Sequence, residues 1–248
     1  EVHRRQFGPA ALGLGNTEIA DVELSGNGNG LTWQVSGLLR LGGTSVGARY
    51  LEAVEVDIEG DAVFTQVPTG VAGVDALIAA GLPEDQGVST TIEFPAQAVV
   101  GVAHRFTDRL ALMFDFQRTF WSSFDQFPIE FDEEDPDTLN LGYRDADTWR
   151  VAAEFQANDA LTLRAGFRYN EAATPRATPF LPEGERNYYT AGVGYRFNPA
   201  FSTDLSLQYI NQPPRAGAVL PDGPRAGVYE SEGMVFNLTF AYRFGGRR

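Results

Sequence analysis

The chain has 248 residues, and its 33 acidic residues outnumber 19 basic residues, all of them arginine, for a formal charge of −14. This balance excludes a nucleic-acid partner, because no basic stripe could neutralise the phosphates. The absence of cysteine excludes a disulfide framework, thiolate metal sites and thiol catalysis. No window offers the ~20 apolar residues that a transmembrane helix needs.

Alternation of apolar and polar residues predicts nine β-strands. They cover approximately residues 20–41 (bulged at "GNGNG"), 45–60, 90–106, 110–121, 146–156, 161–171, 187–197, 203–212 and 233–244. Residues 1–19 are expected to form a loop or entry segment, and 245–248 a tail. Helical periodicity is confined to 71–85, where we expect a short helix that packs against a loop or barrel rim; a gating role is the alternative.

The predicted connections alternate strictly between short and long. The short ones lie near 42–45, 107–109, 157–160 and 198–202. The last three follow strands that close on Phe106, Phe155 and Phe197, and Phe244 closes the final strand. The long ones, 61–89, 122–145, 172–186 and 213–232, are rich in Pro, Gly and acid. Short turns at one end and long loops at the other are typical of barrels in the bacterial outer membrane.

The two faces of each strand predict which side meets lipid. Strand 187–197 carries Tyr189, Val193 and Phe197 on one face, with aromatic residues at both ends as interfacial girdles require. The other face of strand 161–171 carries Arg164 and Arg168. An arginine at the lipid midplane costs about 2–4 kcal/mol, so these side chains are expected in a hydrated lumen. The prediction is an all-β, antiparallel transmembrane β-barrel with its apolar rows facing outward.

Four charged residues each stand one position before a closing phenylalanine and predict a charge belt inside the short-turn end of the barrel. They are Arg105, Glu154, Arg196 and Arg243. Structural ion pairing, with lumen acids such as Asp115 or with an interior plug, is the favoured interpretation. Direct contact with a ligand is the alternative.

Several segments, in order, resemble the FadL-type outer-membrane transporters of long-chain fatty acids and other hydrophobic compounds. The similar stretches are "ADVELSGNGNGLTWQVSGLLRL", "ARYLEAVEVDIEGD", "TIEFPAQAVVGVAHRFTDRLAL", "RTFWSSFDQF" and "VYESEGMVFNLTFAYRF". The resemblance implies passive transport of hydrophobic molecules through a plugged barrel with lateral release into the membrane. That family has fourteen strands and an N-terminal hatch, so we expect these nine strands to be the C-terminal part of a longer chain.

Two groups of residues are candidates for substrate contact. Trp121, Phe124 and Phe127 could line an apolar entry path, although interfacial anchoring or loop packing explains each of them too. Arg150, Arg164 and Arg168 are predicted to point inward from adjacent strands and could bind a carboxylate, with lumen ion pairs as the alternative. Pro128 stands where the family often has a lysine, so fatty acids and neutral aromatic or alkane hydrocarbons are both open.

Other functions find less support in the sequence. The acidic stretch 131–137 lacks the spacing and glycine of an EF-hand and is expected to be a solvated loop rather than a calcium site. We expect no metal and no cofactor. The sequence has two histidines, His3 and His104, and no G-x-S-x-G or H-E-x-x-H motif. We therefore expect that the protein is not an enzyme.

The expected partners are a hydrophobic substrate and outer-membrane lipid, with Arg118 positioned for a lipopolysaccharide phosphate, and a monomer is expected. Three alternatives to transport stay open at this point: an outer-membrane lipid-modifying enzyme, a general porin and a soluble β-sandwich.

Overall fold

A computed structural model describes residues 2–7, 18–124, 126–133, 136–140, 142–174, 184–217 and 227–244. Within these ranges lie a single α-helix, α1 (Ala72–Gly81), a 3-10 helix (Trp121–Phe124) and fifteen strands. The strands are β1 Val2–Phe7, β2 Glu18–Asn29, β3 Gln34–Leu41, β4 Thr44–Leu51, β5 Val54–Gln66, β6 Gln86–Phe94, β7 Gln97–Arg105, β8 Leu110–Thr119, β9 Gln126–Phe131, β10 Asp137–Asn140, β11 Ala146–Gln156, β12 Leu161–Asn170, β13 Arg186–Arg196, β14 Phe201–Ala216 and β15 Val228–Tyr242.

The contacts divide the chain into two units, each built on one sheet. The six-stranded unit comprises Glu1–Leu31, Val54–Phe94 and Gln126–Leu141, and the nine-stranded unit comprises Thr32–Ala53, Pro95–Asp125 and Gly142–Arg248. None of the helices in the described ranges has the length and apolar character to cross a membrane.

The nine-stranded sheet is an antiparallel meander in the order β15-β14-β13-β12-β11-β8-β7-β4-β3. Each of the nine strands predicted from alternation contributes one strand to this sheet, whereas the six strands of the other sheet were not predicted as separate strands. The predicted short connections are confirmed. In two of them an asparagine shapes the turn: Asn158 Oδ1 accepts hydrogen bonds from the amides of Ala160 and Leu161, and Asn198 repeats this arrangement.

The first three predicted strands are wrong in one respect, because each is broken and shared between the two sheets. Residues 20–41 form β2 and β3, residues 45–60 form β4 and β5, and residues 90–106 form β6 and β7. The break between β6 and β7 lies at Pro95, which has no amide hydrogen to donate to a ladder. Four residues, 30–33, separate β2 from β3, and two residues, Glu52 and Ala53, separate β4 from β5.

The six-stranded sheet, ordered β1-β2-β5-β6-β9-β10, has an apolar face and an acidic face. Strand β5 alternates between partly buried Val56 and Ile58 and exposed Asp57 and Glu59. The six-stranded unit holds 18 acidic residues against two arginines, a formal charge of −16, whereas the nine-stranded unit holds 15 against 17. The charge excess of the chain therefore belongs to the six-stranded unit.

Two predicted irregular regions contain regular structure. Residues 1–19 are not all loop, because Val2–Phe7 forms β1 and pairs with β2; the segment 8–17 lies outside the described residues. The long connection 122–145 contains β9 and β10, which pair as a hairpin. Parts of the connections 172–186 and 213–232, and the tail 245–248, also lie outside the described residues.

The predicted helix is confirmed as α1. The Asp75 carboxylate accepts hydrogen bonds from the amide and hydroxyl of Thr69, at 2.8 and 2.6 Å, and these bonds lower the pKa of Asp75. The carboxylate thereby ties α1 to the segment that precedes it.

Candidate functional site

The nine-stranded sheet has one face of exposed apolar side chains. On β15 the exposed fractions are 65% for Met234, 69% for Phe236, 60% for Leu238 and 65% for Phe240. The same face continues across the sheet through Tyr189, Leu205, Leu163, Val151, Phe114 and Val100, all at least 40% exposed. A continuous apolar surface of this kind is unfavourable in water and suits contact with lipid.

The opposite, polar face carries charged side chains that bridge neighbouring strands. Arg164 on β12 donates through Nε to Glu154 on β11 at 2.8 Å and through Nη1 to Asp204 on β14 at 2.6 Å. To reach Asp204, its guanidinium crosses β13 at Gly194, where an added Cβ would lie 2.5 Å from Asp204 Oδ1. The glycine therefore makes room for a three-residue bridge across four strands.

A second polar cluster lies closer to the long-connection end of the sheet. Arg150 on β11 donates to Asp115 on β8 at 2.6 Å and to Gln117 at 2.8 Å. Gln117 and Arg49 both donate to Gln97 on β7, at 3.4 and 3.2 Å. The charge of Arg150 is thus neutralised within the sheet.

Arg168 differs from the other two predicted arginines. It lies directly opposite Arg150 in the β11–β12 ladder, so two cations are paired across strands. Its Nε donates to Asn170 at 2.7 Å, and its guanidinium carbon lies 4.6 Å from the centre of the Tyr188 ring. In the described part of the chain, no carboxylate lies within ion-pair distance of this half-buried side chain.

The predicted charge belt is only partly assembled. Glu154 pairs with Arg164, whereas the side chains of Arg105, Arg196 and Arg243 are exposed. None of these three arginines has an ion pair among the residues that the structure describes. Their place at the short-turn end of the polar strands agrees with the alternation of the sequence, and their function stays a prediction.

The predicted aromatic residues form a cluster at the long-connection end of the nine-stranded unit. Trp121 stacks on Tyr143 with ring centres 5.4 Å apart, and Phe124 contacts both rings at 5.4 and 6.0 Å. The side chain of Phe127, in β9 of the six-stranded unit, lies outside the described residues. The structure thus brings two of the three predicted aromatic residues together and adds Tyr143.

A carboxylate holds the 3-10 helix that carries Trp121 and Phe124. Asp145 accepts hydrogen bonds from the hydroxyl and amide of Ser122, at 2.7 and 3.2 Å, and lies 3.5 Å from Arg118. The bonds from Ser122, followed by the charge of Arg118, lower the pKa of Asp145. Arg118 also approaches Asp147 at 3.7 Å, so the predicted contact for a lipopolysaccharide phosphate is already paired with two carboxylates.

Several residues of these clusters were not identified from the sequence. Asn170 and Tyr188 share the polar face with Arg168 and could have been found from alternation alone. Asp204 is 40 positions from Arg164, and only the register of three strands brings the two together. Within the described residues, no group of three or more His, Asp or Glu side chains could hold a metal ion.

Comparison with known proteins gives a consistent family. A family model described as outer membrane protein transport protein (OMPP1/FadL/TodX) matches residues 7–244. The chain is 29% identical over 173 residues to outer membrane protein P1 of Haemophilus influenzae, covering 66% of this chain and 34% of that protein. It is 25% identical over 248 residues to a long-chain fatty acid transport protein of Escherichia coli, covering 95% of this chain and 55% of the relative.

Two solved structures have a fold similar to that of this chain. A Pseudomonas aeruginosa FadL homologue superposes with a TM-score of 0.79 at 24% identity, over 94% of this chain and 56% of that one. The Pseudomonas putida toluene transporter TodX superposes with a TM-score of 0.64 at 20% identity, over 98% and 58%. The chain thus spans at most about half the length of the curated relatives it matches, and its strands have the fold of the corresponding part of these barrels.

Proposed function

The chain belongs to the outer membrane protein transport protein family, which includes OMPP1, FadL and TodX, and from this premise we propose that it forms part of a passive transporter of hydrophobic molecules. The proposed route passes along the polar face of the nine-stranded sheet and ends with lateral release into the membrane. The proposed substrates are long-chain fatty acids or hydrocarbons. The proposal contains no chemical step and no cofactor, and it takes the protein to be a monomer.

The state of Arg168 favours a substrate with an anionic head group. The polar face offers three arginines in adjacent strands, but Arg150 and Arg164 each already hold carboxylates at 2.6 Å. Arg168 has only an amide oxygen and an aromatic ring as partners. A carboxylate that pairs with Arg168 would gain a charge-assisted hydrogen bond without displacing an existing ion pair. We therefore propose Arg168 as the head-group contact, with Arg150 and Arg164 holding the wall of the route.

Binding of palmitate to the purified full-length protein tests this proposal. Replacing Arg168 by glutamine removes the positive charge of the proposed head-group contact, and we expect an affinity loss of about tenfold. Arg196→Gln is the matched control, because Arg196 is an exposed arginine on the polar face without an ion pair in the described structure. Equal palmitate affinity of the Arg168→Gln protein and the parent would reject the head-group assignment.

The aromatic cluster supports neutral aromatic compounds as a second class of substrate. Trp121, Phe124 and Tyr143 present three rings within 6.0 Å of one another at the long-connection end. Rings arranged in this way offer edges and faces against which a small aromatic molecule can pack. If this is the entry path, Trp121→Ala slows toluene uptake into vesicles that contain the full-length protein, whereas Arg168→Gln leaves toluene uptake unchanged.

A further inference from the structure

A cavity of about 590 Å³ opens at the long-connection end of β12 to β14, within the nine-stranded unit. Its walls are formed mainly by charged residues and prolines rather than by aliphatic side chains; the residues used below are Arg144, Asp145, Tyr169, Glu171 and Glu185. A hydrocarbon tail would leave these charged groups without partners, so the cavity does not suit the molecules proposed for transport.

Tyr169 fixes the position of the cavity relative to the apolar face. By strand alternation Tyr169 continues the row of Leu163 and Phe167, and its hydroxyl donates to Glu185 Oε2 at 3.0 Å. A second tyrosine, Tyr209, ends its own row with a bond to Glu232 at 3.0 Å. Tyrosines with an apolar body and a bonded hydroxyl mark the edge of a membrane-facing band. The cavity therefore begins where the apolar face ends, at the height of lipid head groups.

The charged groups of the cavity can bind both hydroxyls and an anion. Glu171 is exposed, and its Oε2 accepts the amide of Asp147 at 3.0 Å. Arg144 is exposed, and its side chain has no hydrogen bond or ion pair among the described residues. Arg118, by contrast, is paired with Asp145 and Asp147. The cavity thus presents carboxylate acceptors next to one guanidinium that is available for a ligand.

We propose that this cavity binds an acidic saccharide, with sugar hydroxyls donating to Glu171 and Glu185 and an anionic substituent pairing with Arg144. Multiple hydroxyl groups match carboxylate acceptors, and a guanidinium binds a phosphate or carboxylate through two parallel hydrogen bonds. The volume of about 590 Å³ is large enough for a sugar ring. The cavity lies beside the aromatic cluster, because Asp145 in its wall also holds the 3-10 helix, and the proposal assigns saccharide contact to Arg144 rather than to Arg118.

Calorimetric titration of the full-length protein in detergent tests the proposal with two probes. One probe is deep-rough lipopolysaccharide, and the other is the same molecule after complete deacylation. Arg144→Gln and Glu171→Gln are each expected to weaken the affinity for a bound probe by about fivefold or more. Arg118→Gln is the matched control and is expected to change the affinity less than twofold. Palmitate affinity, measured on the same samples, reports folding and is independent of this site.

The outcomes separate the sources of the saccharide. If both probes bind and both lose affinity in Arg144→Gln, the cavity recognises the saccharide itself. If only the acylated probe binds and Arg144→Gln weakens it, the cavity holds the head group of a membrane-anchored glycolipid. Unchanged binding in both Arg144→Gln and Glu171→Gln, or a loss found only in Arg118→Gln, would overturn the proposal. If palmitate binding does not depend on Arg168, the head-group assignment fails but the saccharide proposal is unaffected.

Discussion

Arg164 and Arg168 lie four residues apart on the same face of β12, yet only Arg164 is held between two carboxylates. The difference arises from their neighbours across the sheet. Opposite Arg164 the adjacent strands supply Glu154 and, beyond Gly194, Asp204, whereas opposite Arg168 they supply Arg150 and Tyr188. One arginine therefore contributes to the wall, and the other is available for a ligand.

Gly194 is expected to be necessary for the bridge between Arg164 and Asp204. In Gly194→Ala the new Cβ would lie 2.5 Å from Asp204 Oδ1 and 3.1 Å from Arg164 Nη1, so the bridge must shift. Because both bridging side chains are more than 40% exposed, we expect a loss of only about 1 kcal/mol in unfolding free energy. Urea unfolding in vesicles measures it. Gly37→Ala, where an added Cβ meets nothing within 4 Å, is the control, and an equal loss in both would contradict this role.

Asp115 is expected to limit anion binding on the polar face. Asp115→Asn removes the carboxylate at 2.6 Å from Arg150, which leaves two arginines opposite each other without a counter-ion. We expect palmitate affinity to rise about threefold to tenfold, because a bound carboxylate would then pair with both guanidinium groups. Glu154→Gln serves for comparison. Arg164 keeps its ion pair with Asp204 in this variant, so palmitate affinity should rise little. Weaker palmitate binding in Asp115→Asn would mean that the ion pair shapes the site rather than competes with the ligand.

The aromatic cluster is expected to loosen in acid. Ser122 and Arg118 lower the pKa of Asp145, so the folded form binds the proton less readily than the unfolded chain. The resulting stabilisation is complete above the ordinary carboxyl pKa of about 4 and is lost as the pH falls through the lower folded value. Hydrogen exchange at the Ser122 amide, followed from pH 7 to pH 3, should show protection that disappears at the acidic end. In Asp145→Asn the protection should be low at every pH; strong protection there would exclude the carboxylate as its source.

Which face of β15 meets lipid can be tested by placing one charge on each face. Leu238 lies in the exposed apolar row of β15, and its neighbour Asn237 points to the polar face. Leu238→Arg should cost about 2–4 kcal/mol of folding free energy in a bilayer, whereas Asn237→Arg should cost less than about 1 kcal/mol. Folding of the full-length protein into phospholipid vesicles, titrated with urea, gives both numbers. Equal costs would show that the apolar row of β15 does not meet lipid.

The strands of the nine-stranded sheet and the assignment of their faces were predictable because both depend on local alternation. The sequence of β15 is enough to separate Phe236 and Leu238 from Asn237 and Thr239, whatever pairs with the strand. Similarly, the turns at Asn158 and Asn198 have residues that shape turns by their own hydrogen bonds. These features need no information about distant parts of the chain.

The division into two sheets was not predictable in the same way. Val54 to Phe64 continues the alternation of β4 after Leu51, and only its pairing with β2 and β6 separates it from β4. Strand β1 was missed because "VHRRQF" lacks an apolar row, and its strand conformation depends on pairing with β2. The pairing of Arg164 with Asp204 depends on two ladder registers at once, which no spacing in the sequence encodes.

The cations of the polar face are all arginines, and His104 lies on the apolar face beside Thr44 and Phe106. A guanidinium group keeps its proton throughout the range in which proteins stay folded. The positive charge of the arginines on the polar face therefore does not change with pH in this range. If uptake of a weak acid varies with pH near neutrality, the variation reports ionisation of the transported molecule and not of these arginines.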